Sequence, residues 1–303
     1  MCDTQLAIIG AGPAGLSAAI AAASAGVHAT VIDENPQIGG QVFRQMSETF
    51  QVNGGKPAGR TERKGQGLFV QVAKHNIQFK LETTVWGFFH PLRLALQTVG
   101  AKPASSLLAP QKLLIATGAY DRPTPFPGWT LPGVIAGAAQ TLIKSQAILP
   151  GRRVILAGSG PFLLPVAAQL ISGGAEVVAI LEASHPSRWV RRLPVLWGQW
   201  ERFGEALEYL KIIHSVDVPI HFGQTIVAAY GDKFLQEVTI AELDAKWRPI
   251  SGTKRRLATD VACIGFGFIP STQLSRLCGC AHTYRSEAGG GVVAHDECQR
   301  TSN

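Results

Sequence analysis

One construction occurs twice in this chain and restricts the fold more than any other feature: a short apolar run, a glycine-rich turn, a small-residue or apolar helix and a second apolar run ending on an acid. In the first copy Leu6–Ile9 is continuously apolar, as a strand buried on both faces must be. Gly10-Ala11-Gly12-Pro13-Ala14-Gly15 follows, then an alanine-rich segment to about Ala25, a break at Gly26, and the run Ala29–Ile32 that finishes at Asp33. In the second copy the run opening at Arg153–Leu156 leads into Gly158-Ser159-Gly160-Pro161-Phe162-Leu163. A helix to about Ser172, the break Gly173-Gly174 and the run Val177–Leu181 ending at Glu182 complete it. Strands that are apolar on both sides and joined through helices pair in parallel, with the helices covering the sheet.

The glycine spacing carries chemistry as well as geometry. Gly10 permits the tight turn, Gly12 lets backbone approach a pyrophosphate, and Gly15 lets helix and strand pack closely. Pro13 suits the first helical turn, where its missing N–H costs nothing. Together with Ala14, that turn offers free amides and the positive end of the helix dipole to phosphates. Asp33 is placed to accept hydrogen bonds from an adenosine ribose. Gly158 and Gly160 repeat the pattern, but Leu163 takes the place of the third glycine and is expected to push the helix from the strand and loosen the phosphate site. The second unit either binds no nicotinamide or, if a nucleotide does bind, takes NAD or another adenine nucleotide rather than NADP, because Glu182 favours a free ribose 2′-hydroxyl. The fold class expected is α/β, with two Rossmann-like dinucleotide-binding domains.

Between the copies lies Asp121-Arg122-Pro123-Thr124-Pro125-Phe126-Pro127-Gly128-Trp129-Thr130-Leu131-Pro132-Gly133. Its prolines make it a stiff, extended crossing and not a helix or central strand. The second domain is therefore expected to be inserted into the first, with a first part over 1–121, the insert over 122–256, and an incomplete return over 257–303.

Composition excludes several alternatives. Hydrophobic residues make up 46% of the chain and charged residues 16%, which is a packed globular balance and not a disordered one. The formal charge of +7 is spread over short groups, such as Arg191-Arg192 and Lys254-Arg255-Arg256, so no nucleic-acid partner is expected. The most apolar stretch, Leu16–Ala25, is too short for a membrane span. Five scattered cysteines without a signal peptide lead to the expectation of a reduced, cytoplasmic protein. No cysteine lies between Cys2 and Cys263, so neither unit carries a redox pair. Cys278, Cys280, His282, His295 and Cys298 form the one conceivable metal-ligand group; C-x-C-x-H is not a zinc spacing, and no metal is expected.

Gly39-Gly40 shortly after Asp33 and Leu113-Leu114-Ile115-Ala116-Thr117-Gly118 resemble the two-dinucleotide-binding flavoproteins. In those proteins such segments cradle FAD, and Thr84 and Val85 lie where a strand runs against the adenine. The resemblance makes FAD the expected cofactor, with Glu34, Gly40, Gln41, Val85, Ala116, Thr117 and Gly118 joining the first glycine turn and Asp33 in holding it. Gly39–Gln45, Ala116–Pro123, Phe126–Gly133 and Gly265–Pro270 resemble more narrowly the flavin-containing subunits of opine oxidases, hydroxyproline dehydrogenases and hydrogen cyanide synthase. That resemblance implies an electron-handling subunit of a heteromeric amino- or imino-acid dehydrogenase, working beside a second flavoprotein subunit on a small amino or imino acid. A stand-alone NADH-dependent flavin reductase and a non-catalytic nucleotide-binding scaffold are the alternatives. No acid–base residue is singled out. Flavoproteins of this kind close the FAD site with a late strand and a Gly-Asp pair; none follows Asn303, so a C-terminally truncated form with weak FAD retention and no iron–sulfur cluster is expected.

Overall fold

The computed structural model describes residues 4–46, 60–100, 103–185, 187 and 200–303. Two compact units divide the chain: Met1–Tyr120 with Ile269–Asn303, and Asp121–Phe268.

The first unit runs β1 (Thr4–Ile9), α1 (Pro13–Ser24), β2 (Ala29–Ile32), α2 (Arg60–Ala73), β3 (Gln78–Lys80), β4 (Thr83–Phe89), β5 (Arg93–Thr98), β6 (Ala104–Leu108) and β7 (Pro110–Ile115). Its parallel sheet has the order β3-β2-β1-β7. The continuous apolar run predicted for β1 is there because both faces of that strand are covered. On one face Ile8 meets Leu16 and Ala19 of α1, with Val31 and Val72. Burying a leucine such as Leu16 completely contributes about 1.5–3 kcal/mol. On the other face Ala7 and Ile9 pack with Leu94, Leu96 and Leu108 from the antiparallel trio β4-β5-β6.

The chain leaves this unit within β8 (Ala119–Asp121). From Arg122 to Phe126 it has no regular structure and then turns at Gly128 and Gly133 before β9 (Val134–Ala136), as its prolines require. The second unit continues through α3 (Ala138–Gln146), β10 (Arg153–Gly158), α4 (Leu163–Ser172), β11 (Glu176–Glu182), α5 (Trp200–His214), β12 (Ile220–Phe222), β13 (Gln224–Tyr230), β14 (Glu237–Glu242), β15 (Arg255–Ala258) and β16 (Val261–Gly265). Its parallel sheet has the order β12-β11-β10-β16-β9. Leu163, Val166, Ala167, Leu170 and Ile213 from the helices cover one face, and Ile226, Val238 and Ile240 from the antiparallel sheet β13-β14-β15 cover the other.

The return boundary differs from the expectation of 257–303. Val261–Gly265 pairs in parallel with β10 on one side and β9 on the other, inside the second unit's sheet, and so does not complete the first. Its run Val-Ala-Cys-Ile is buried residue by residue, the pattern of a central strand. The crossing back falls in β17 (Phe268–Pro270), followed in the first unit by α6 (Gln273–Leu277) and the hairpin of β18 (His282–Arg285) and β19 (Gly290–Val293).

Candidate functional site

The C-terminal ends of β1, β2 and β7 gather the predicted residues of the first unit. Gly10 has φ +108, and a Cβ there would collide with the carbonyl oxygen of Ala116. A Cβ at Gly15 would collide with the carbonyl oxygen of Gly10. Both glycines are thus fixed by the fold itself. Gly12 is not: its φ of −74 suits any residue, and the nearest atom to a Cβ would be the Gly40 Cα at 4.0 Å. Nothing in the chain requires glycine at position 12. The space it leaves open is where the spacing argument places a pyrophosphate.

Gly40, with φ +60, packs its backbone against Gly12; a Cβ on Gly40 would lie 2.8 Å from the Gly12 Cα. The Gly39 N–H donates to the Ala11 carbonyl at 2.8 Å, so the Gly-Gly pair runs along the turn. Among the described residues the N–H groups of Gly12, Ala14 and Gly15 meet no acceptor in the chain, and the first intrahelical bond is Leu16 N–H to the Gly12 carbonyl at 2.9 Å. Pro13 contributes no donor. This is a row of unspent amides at a helix N-terminus, the chemistry a diphosphate needs.

Asp33 Oδ2 accepts the Ala11 N–H at 2.6 Å, while Oδ1 accepts the Asn35 N–H and side-chain amide, both at 2.8 Å. A carboxylate has about four acceptor positions, so one direction on Oδ2 is left for a ribose hydroxyl. Asn35 escaped the sequence reading, although Asp-x-Asn is the spacing of an Asx turn that could have revealed it. The Thr83 N–H donates to the Asp33 carbonyl at 2.9 Å, which ties β4 to this corner. Val85, two residues on, turns its side chain into the core with Leu94 and Leu96. Ala116 holds Gly10 from the β7 side, and the Thr117 hydroxyl donates to the Ser271 carbonyl at 2.9 Å. Gly118 takes φ +66 with open space beyond it. Glu34 and Gln41 are exposed at the rim.

The second unit repeats the outline with different details. Gly158 is fixed by a collision that a Cβ would make with the Gly265 carbonyl, and Gly160 by φ +104. Space beside Gly160 is open as well, so the two turns differ in their spare amides and not in room. The Ser159 N–H donates to the Gly265 carbonyl at 3.0 Å, and the Gly160 N–H to Glu182 Oε2 at 2.8 Å. Leu163 is buried in the core under the sheet, and the helix starts there, whereas α1 starts at the proline of its turn. The Leu164 N–H bonds to Pro161 three residues back, at 3.2 Å, where its counterpart Leu16 bonds four back. Phe162 alone keeps an amide without an acceptor among the described residues of this turn. Glu182 is 3% exposed, its other oxygen accepting the Ser184 N–H at 2.8 Å.

Other titratable groups lie elsewhere. Burial holds the Asp121 carboxyl above the usual carboxylate range, with its own backbone hydrogen bond opposing; it packs against Gly137, which opens α3 with φ +67. Burial pushes the Cys263 thiol up to about 12, and burial with the neighbouring Cys280 pushes Cys278 up to about 11. His282 Nε2 pairs with the Ser275 hydroxyl at 3.0 Å, and His295 Nδ1 with the Asp296 carbonyl at 2.9 Å. Among the described residues no three His, Cys, Asp or Glu side chains gather as metal ligands would. No helix of the described residues is long and apolar enough to cross a membrane.

Known proteins resemble this chain in sequence and in fold. The chain is 35% identical over 287 residues to hydrogen cyanide synthase subunit HcnB of Pseudomonas aeruginosa, covering 92% of this chain and 60% of that protein. It is 33% identical over 309 residues to a subunit of opine oxidase from Agrobacterium tumefaciens, covering 96% of this chain and 58% of the relative. The chain therefore spans about three-fifths of the length of these relatives. Among solved structures, thioredoxin reductase of T. acidophilum superposes with a TM-score of 0.66 at 18% identity, over 99% of this chain and 87% of that one. L-proline dehydrogenase from P. horikoshii gives a TM-score of 0.62 at 19% identity, over 99% and 49%. The family profile described as pyridine nucleotide-disulphide oxidoreductase matches residues 4–303. The chain belongs to that family of FAD- and NAD(P)-binding oxidoreductases.

Proposed function

We propose that the chain is the electron-handling, FAD-binding subunit of a heteromeric amino- or imino-acid dehydrogenase, paired with a second flavoprotein subunit. The observation that carries the cofactor assignment is Gly12, a glycine for which the chain itself has no use, beside three unspent amides. In this reading Gly12, Ala14 and Gly15 donate to the diphosphate, the α1 dipole favours its charge, and Asp33 accepts a ribose hydroxyl. Gly10, Gly40 and Ala116–Gly118 hold the turn in shape, and Val85 keeps β4 beside it. Bound flavin supplies two-electron redox chemistry that no side chain possesses. The relatives named as subunits of hydrogen cyanide synthase and opine oxidase support the heteromeric reading.

The test is dye-linked turnover of opines, proline and hydroxyproline by the FAD-saturated chain alone. Almost none is expected without a second subunit. Rapid single-chain turnover would refute the pairing, and rapid flavin reduction by NADH alone would favour a flavin reductase instead.

A further inference from the structure

The antiparallel trio of the first unit has an outer face that neither the core nor the glycine turn uses. A register shift between Val85 and Gly87 in β4 turns Trp86 outward, where it is 57% exposed. Phe89, 49% exposed, meets it edge to face with ring centroids 6.4 Å apart. Across the sheet Gly87 pairs with Ala95 and Ala95 with Leu107, and Leu107 is 59% exposed. Trp86, Phe89, Ala95 and Leu107 form the apolar floor of an open-sided concavity of about 700 Å³, which His90, Arg93, Ser105 and Ser106 complete. Its volume lies in the range of small-molecule sites, and its open side leaves one face of a ligand in water.

The charge of the lining is one-sided. Arg93 stands opposite Phe89 in the β4–β5 register, and its guanidinium has no ion pair or hydrogen bond among the described residues. Among the described residues no carboxylate lines the concavity. A guanidinium matches a carboxylate through two parallel hydrogen bonds, and a tryptophan face takes a flat apolar body. We propose that this face is a binding site for a small planar carboxylate, held by Arg93 at one end and by Trp86 and Phe89 along its body.

2-Naphthoate is the probe, with 2-naphthylmethanol as its uncharged counterpart, titrated into the full chain with and without saturating FAD. Quenching of tryptophan fluorescence reports binding, and Trp86→Phe identifies the signal as local. The proposal expects naphthoate to bind at least about tenfold more tightly than the alcohol, with FAD making no difference. Arg93→Gln should remove that advantage and leave the alcohol unchanged, and Arg93→Lys should restore only part of it. Trp86→Ala, read by calorimetric titration because the fluorescent reporter is gone, should weaken both probes. All of these positions are on the surface, so thermal midpoints should stay near the wild-type value. Equal affinity for the two probes, indifference to Arg93→Gln, competition by FAD, or no saturable binding at roughly millimolar concentrations would each overturn the site.

Discussion

Asp33 is the residue at which fold and ligand compete for the same atoms. Its carboxylate fastens the turn through Ala11 and Asn35 and still has an acceptor direction to spare. Asp33→Ala therefore removes a ribose partner and releases the Ala11 amide together. FAD affinity should fall by about 1–3 kcal/mol, the usual consequence of unpairing a buried polar group. Flavin fluorescence titration reads this directly, and unchanged affinity would clear Asp33 of any role. Asp121 makes a pH-dependent prediction. Burial raises its carboxyl in the folded state above the unfolded value of 3.8, so the folded protein binds that proton more tightly. Stability from this group is then present below the unfolded value and lost as pH rises through the folded one. Asp121→Asn keeps the shape without the charge. Its thermal midpoint should equal wild type in acid and exceed it near neutrality, and a variant less stable at neutral pH would show that the carboxylate is needed.

At the scale of elements, both strand–turn–helix units were legible because apolar runs and glycine spacing are local signals. Gly10, Gly12 and Gly15 were legible too, with a separate task for each, but the atoms that surround them were not. Gly10 and Gly15 answer to carbonyl oxygens of Ala116 and Gly10, the first of them distant in sequence, whereas Gly12 answers to nothing in the chain. The strand at Val261–Gly265 was legible as a strand and misplaced in its sheet, since an apolar run says that both neighbours exist without naming them. The outer face of the trio was missed because Trp86 owes its direction to a bulge that no composition reveals. The two turns also differ in their spare donors: Gly12, Ala14 and Gly15 against Phe162. A charge-assisted hydrogen bond contributes about 1.5–3 kcal/mol, so two fewer should weaken a diphosphate by more than about a hundredfold. ADP-ribose titrated calorimetrically into the FAD-saturated chain should bind at least that much more weakly than FAD does. Comparable affinities would mean that the second turn reorganises at little cost.

For the whole molecule, the two units share an architecture and divide the work unevenly. The first has a glycine, Gly12, that neither its φ nor its packing explains, and three spare amides around it. In the second, Gly265 and Glu182 take up amides of the turn, and Leu163 is committed to the core. That asymmetry is the physical content of the claim that FAD sits in the first unit. Gly12→Ala tests it most directly, because the new methyl meets only the Gly40 Cα at 4.0 Å and the backbone at Gly12 already suits alanine. Flavin per chain, measured by absorbance after reconstitution, should drop far below wild type while the thermal midpoint of the flavin-free protein holds. Full flavin occupancy in Gly12→Ala would contradict the account.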